Sequence, residues 1–236
     1  MTGGFLVLLA ATVAVAAFVQ GASGLGFALI VAPVVGMAAP ELLPGFLLAV
    51  MVPLNLYIAW REREALDLRG ASWITIARLA TTPAGVLLLA AVSERSLEFL
   101  VGLSMVLAAL VSLAAPVFVP GRRTFLAAGA VTGVTETATG IGGPPLALAY
   151  QHRPPAEMRA TICACFLVGQ VVSLAVLGAA GQVHTEQFRS AALVLPALAA
   201  GVWLSRLLHH RVDASTLRFI VLAFAVVSGG VLMLGL

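Results

Sequence analysis

Gly133-Val134-Thr135-Glu136-Thr137-Ala138-Thr139-Gly140-Ile141-Gly142-Gly143-Pro144-Pro145-Leu146-Ala147-Leu148-Ala149-Tyr150-Gln151 lies inside long apolar sequence, yet it holds glycines, adjacent prolines, three threonines and one carboxylate. An apolar helix gains nothing from these residues, because Gly frees the backbone and Pro removes an amide donor. In hydrocarbon an unpaired backbone group costs several kcal/mol, so irregular chain survives only where protein or a wet cavity covers it. The stretch has an echo earlier in the chain. Aligning Gly24-Leu25-Gly26 with Gly140-Ile141-Gly142 sets Gln20 opposite Glu136, Ser23 opposite Thr139 and Gly85 opposite Gly201. Paired helix breaks at matching places in two halves point to the solute site of a membrane carrier.

Composition supports that reading. Of 236 residues, 61% are hydrophobic and only 10% charged, against about a quarter charged in soluble domains. At roughly 20 residues per crossing, the chain has room for about eight to ten membrane segments and no soluble domain. The expected fold is an all-α, polytopic membrane protein with the lipid bilayer as its solvent. Every basic residue is Arg, and the arginines sit mainly in short loops, where they act as topology determinants. Nucleic acid is therefore not an expected partner. Cys163 and Cys165 lie two apart in an apolar segment and point in different directions, so neither a disulfide nor a metal site is expected. His152, His184, His209 and His210 sit at segment ends or in loops without metal-ligand spacing, and no cofactor is implied.

The expected segments are Phe5–Gln20, Phe27–Ala38, Leu42–Trp60, Trp73–Val92 and Leu97–Val119, then Phe125–Ala138, Leu146–Gln151, Thr161–Ala180, Ser190–Leu208 and Leu217–Leu236. If each break returns the chain to its starting side, Arg61, Arg63, Arg69, Arg122, Arg123, Arg153, Arg159, Arg206 and Arg211 share one side. Only Arg95 and Arg189 fall opposite. The positive-inside rule favours this count and makes that side cytoplasmic, with both termini outside. The halves, 1–119 and 120–236, then form two inverted-topology repeats with broken or re-entrant glycine-rich helices within one membrane domain.

Glu136 is the carboxylate least easily explained as surface, since an ionisable group at helix centre costs roughly 2.5–3.5 kcal/mol on insertion scales. Its competing readings are a wet loop end, a structural pair with an arginine, and a proton-coupling residue of the solute site. Arg78 reads first as a snorkelling side chain and second as a guanidinium facing the cavity to bind an oxyanion. Gly24, Gly26, Gly140, Gly142 and Gly143 allow backbone amides and helix N-termini to face an anion, with Pro144 enforcing the break. A leucine at Gly142 is expected to block transport in a folded protein. Gln20, Thr137 and Gln170 complete the candidate site, while Asn55 and Thr161 read as interhelical hydrogen-bond partners. No nucleophile–base arrangement is present, so an enzyme is not expected.

These motifs resemble the TauE/SafE sulfite exporter family over essentially the whole chain. The resemblance rests on Phe18-Val19-Gln20-Gly21-Ala22-Ser23-Gly24-Leu25-Gly26-Phe27 with Pro33, on Gly133 to Pro145, and on Arg159-Ala160-Thr161. It implies a multi-pass carrier of the cytoplasmic (inner) membrane for sulfite, a sulfonate or a related small sulfur-containing anion; the inverted repeats add the expectation of alternating access, and Glu136 that of proton coupling as one mode. Two departures stand out: Glu136 occupies a place where members often have a small or hydroxyl residue, and half 1 lacks a glycine triplet. A cation or neutral-solute carrier using Glu136, and a non-transporting membrane module, are the alternatives. A homodimer is left open as the assembly.

Overall fold

The computed structural model describes residues 3–114, 120–208 and 214–234, where every regular element is an α-helix or a 3-10 turn and no strand occurs. Ten α-helices follow in order: α1 Gly3–Ser23, α2 Phe27–Ala38, α3 Gly45–Arg61, α4 Leu68–Ala91, α5 Glu94–Ala114, α6 Arg122–Thr139, α7 Gly143–Tyr150, α8 Pro155–Ala179, α9 Thr185–Leu208 and α10 Ala214–Leu234. The expected end of segment 5 at Val119, together with His209, His210 and Arg211, lies outside the described residues. Helices α1, α4, α8 and α9 are long and apolar enough to cross a membrane, whereas α2 and α3 are shorter apolar helices.

Polarity runs opposite to that of a water-soluble fold. Gln20, Asn55, Arg78, Glu136 and Gln170 are fully buried, while Val7 is 70% and Leu87 71% exposed. Such an apolar outer surface around a polar interior suits hydrocarbon as the solvent.

Most of the expected helix starts shift by two to six residues, and three of the shifts have a plain local reason. α4 begins at Leu68 rather than Trp73 because the Asp67 carboxylate caps it, Oδ1 accepting the Gly70 N–H at 3.0 Å. α7 begins at Gly143 rather than Leu146, with Pro144 and Pro145 in its first turn, where a missing N–H leaves no bond unmade. α8 begins at Pro155, inside the stretch expected to be loop, by the same logic.

The tightest packing is helix on helix through glycine. α4 lies along α6 and α1 along α9, while α3 packs on α8 and α5 on α10. Exchanging each helix for the one five places later maps these pairings onto themselves. A Cβ at Gly129 would run into the Ile74 carbonyl, and one at Gly133 into the Arg78 backbone; Gly201 is pressed likewise on Ala14. Small residues at such crossings let backbones approach closely, which is how helices associate without a hydrophobic drive. The Thr81 hydroxyl seals the α4–α6 contact by donating to the Ala130 carbonyl at 2.9 Å.

Both breaks need glycine for the backbone itself: Gly26 has φ +110° and Gly140 φ +79°, values that L-residues with side chains rarely adopt. After the second break the chain turns back. The Tyr150 ring at the end of α7 stacks on Phe125 at the start of α6, with centroids 5.5 Å apart. The Tyr150 hydroxyl donates to Asp67 Oδ2 at 2.8 Å, and the Asp67 N–H donates to Thr161 Oγ1 at 3.0 Å. Arg159 pairs with Glu62 at 2.9 Å and Arg122 covers Trp73. These contacts gather Arg61, Arg69, Arg122, Arg153 and Arg159 at one end of the molecule.

Candidate functional site

A single file of buried polar side chains crosses the middle of the bundle. The Phe27 N–H, in the first turn of α2, donates to Gln20 Oε1 at 3.1 Å. Gln20 Nε2 donates to Asn55 Oδ1 at 2.9 Å, Asn55 Nδ2 to Gln170 Oε1 at 3.0 Å, and Gln170 Nε2 to Glu136 Oε1 at 2.8 Å. The direction of each bond follows from the ends. A main-chain N–H can only donate and a carboxylate can only accept, so every amide between them has one allowed orientation. The file joins α2, α1, α3, α8 and α6, and it links Gln20 to Glu136, the two residues that the repeat register sets opposite one another.

At the far end Glu136 meets Arg78. Glu136 Oε2 lies 2.5 Å from Arg78 Nη2, with both side chains wholly buried. This overturns the snorkelling reading of Arg78. The helix contacts through Gly129 and Gly133 bring α4 so close to α6 that the guanidinium is trapped inside, and Gly169 of α8 leaves the space it fills. It also overturns the wet-loop reading of Glu136, which sits within α6. Arg78 Nη1 donates to the Cys165 carbonyl at 2.9 Å, and the guanidinium lies 5.6 Å from the Phe166 ring centroid. The carboxylate contact is an ion pair without hydrogen-bond alignment, and the Arg78 Nε–H has no acceptor among the described residues. Charges so deep are tolerated only as a pair.

Beside this file lies a cavity of about 310 Å³ in which the two breaks meet. Gln20, Leu25 and Gly26 line it from the first break, and Ile141, Gly142, Gly143 and Pro144 from the second. The breaks approach closely: a Cβ added at Gly143 would sit 3.3 Å from Leu25 Cδ2. The N-terminal ends of α2 and α7 both open on the cavity, with Ala28 and Leu29 in its wall. First-turn N–H groups have no acceptor within their own helix and carry the positive end of its dipole. Because Pro144 and Pro145 lack an N–H, the donors at α7 come from the flanking glycines and Leu146. The cavity reaches Arg153 and Arg159 at the arginine-bearing end of the molecule.

The candidate residues thus fall into three groups. Gln20, Gly26, Gly142, Gly143 and Pro144 line the cavity. Glu136, Arg78 and Gln170 form the buried file behind it, separated from it by Gly142, against which Glu136 and Thr132 are packed. Thr137, Gly24 and Gly140 face neighbours instead: Thr137 bonds Ser173 at 2.7 Å, Gly24 is covered by Arg159, and Gly140 by Leu47. The expectation for leucine at Gly142 changes accordingly. Its Cβ would come 2.5 Å from Glu136 Oε2, so the substitution disrupts the core instead of plugging the cavity. Arg153 was legible only as a topology marker, Arg159 as a topology marker and part of a family motif, and Asn55 only as a generic hydrogen-bond partner. Cys163 and Cys165 are buried and unbridged. Among the described residues no cluster of His, Cys, Asp and Glu could hold a metal ion.

Broken helical hairpins that meet around a solute-sized cavity, in a bundle with an apolar exterior, define a multi-pass membrane transporter. Its sequence shows which one: residues 9–232 match the TauE/SafE sulfite exporter family, and the chain belongs to that family. Comparison with curated proteins and with solved structures gives no match.

Proposed function

We propose that the protein is a secondary carrier of a small sulfur-containing anion, working by alternating access across the cytoplasmic membrane. The cavity between the two glycine breaks carries this reading, because two helix N-termini and the Gln20 amide face a space of about 310 Å³, within the range of small-molecule sites. Helix N-termini suit an oxyanion. Much of the remaining wall is apolar, including Val19, Leu29, Met158 and Val221, so an organosulfonate fills it better than bare sulfite. Glu136 is paired with Arg78, and the described residues lining the cavity include no carboxylate to receive a cation.

The helix pairings that exchange under a five-helix shift support two inverted repeats, 1–119 and 120–236, interlaced through contacts between the halves. With the arginine-bearing end cytoplasmic, the cavity opens inward. Glu136 can take a proton only in a conformation that parts it from Arg78, so proton coupling by this residue requires the file to break during transport.

Flux into proteoliposomes tests the proposal. Short-chain sulfonates and sulfite are expected to move and to compete with one another, with sulfonates favoured. Absence of flux for both would refute the substrate class.

A further inference from the structure

A second concavity of about 320 Å³ lies at the arginine-bearing end, where the starts of α4 and α6 come together. Asp67, Arg69, Trp73, Gly121, Arg122 and Arg153 line it. Three arginines and one carboxylate therefore share the lining, and Asp67, which also accepts from the Gly70 N–H and the Tyr150 hydroxyl, offsets only one of the three positive charges. Arg69 and Arg122 have no carboxylate partner among the described residues. Arg153 has only a loose contact of 3.7 Å to Glu157, worth little at this exposure.

Topology alone does not account for the arrangement of Arg122. Its guanidinium lies 4.0 Å over the Trp73 ring centroid. Stacking satisfies one face of the planar cation and leaves its edge N–H groups to donate in the plane. Trp near a helix end also marks the level of the membrane interface. Towards the bilayer the same two helices expose Ile76, Leu79 and Val131, an apolar track for an acyl chain. A basic pocket between membrane helices at this level matches a tetrahedral phosphate tethered to lipid.

We propose that this groove binds the phosphate group of an anionic phospholipid, held by Arg69, Arg122 and Arg153. Arg153 also lines the solute cavity, so an occupied headgroup stands beside the cavity mouth. The site does not depend on the transport reading.

The test is native mass spectrometry of the detergent-solubilised full chain with phosphatidylglycerol or phosphatidylcholine added. Wild type is expected to retain phosphatidylglycerol preferentially. Arg122→Gln and Arg69→Gln should each weaken retention about fivefold, while Arg95→Gln leaves it unchanged. Arg69 is exposed and makes no bond to the described residues, so its variant carries the test even if Arg122→Gln fails to fold. Equal retention of both lipids by wild type, or undiminished preference in Arg69→Gln, overturns the proposal. Should inorganic phosphate raise the melting temperature of wild type but not of Arg69→Gln, with no lipid preference, the ligand is a soluble phosphate and the lipid assignment falls.

Discussion

Replacing Glu136 by Gln removes the negative half of the buried pair and nearly nothing else. Arg78 would then be a wholly buried cation whose nearest compensation is the Cys165 carbonyl at 2.9 Å and the Phe166 ring at 5.6 Å. Breaking such a pair from one side costs about 3–5 kcal/mol, because the surviving charge stays desolvated. For a chain of this size each kcal/mol moves the midpoint by about 2–4 °C, so melting of the purified protein should fall by about 6–20 °C. The double variant Arg78→Gln with Glu136→Gln removes both charges and should recover most of the loss, a coupling of about 3 kcal/mol in the mutant cycle. A single variant that melts within about 2 °C of wild type would refute the argument, as would a double variant no better than the single one. Flux measured at two pH values in the same variant separates the roles. If the variant is stable and its flux no longer varies with pH, Glu136 carries protons.

Further outcomes follow from other contacts. Gly143→Leu, which adds a branched side chain between Leu25 and Phe166 in the cavity wall, should abolish flux with melting little changed, whereas Gly143→Ala should retain transport; flux through the leucine variant would place the solute elsewhere. Gly129→Ala and Gly201→Ala should each destabilise by about 1–3 kcal/mol through overpacking of a helix crossing, while Gly178→Ala, with open space around it, should be neutral in the same melting assay. Arg123→Cys in sealed cells should resist an impermeant thiol reagent, and ready labelling would reverse the assigned topology.

What could be read in advance was whatever depends on local chemistry. Sixty-one per cent hydrophobic residues with so few charges admit only a bilayer as solvent. Gly26 and Gly140 mark the breaks because no other residue tolerates their φ values at low cost, and the repeat register placed Gln20 opposite Glu136 before either had a partner. The helix starts at Leu68, Gly143 and Pro155 were missed because caps and first-turn prolines extend a helix beyond its apolar core. The partner of Arg78 could not be read at all. A lone arginine in an apolar segment looks the same whether it snorkels or is buried, and the choice depends on how closely two helices distant in sequence approach. That distance is set by Gly129 and Gly133 lying against α4. Likewise, Asn55 and Gln170 each read as ordinary polar residues, and only the packing of α3 on α8 joins them into a file from Phe27 to Glu136. Solvent, helices and breaks follow from side chains one at a time; pairings of buried charge and amide follow from geometry between helices, which no single segment contains.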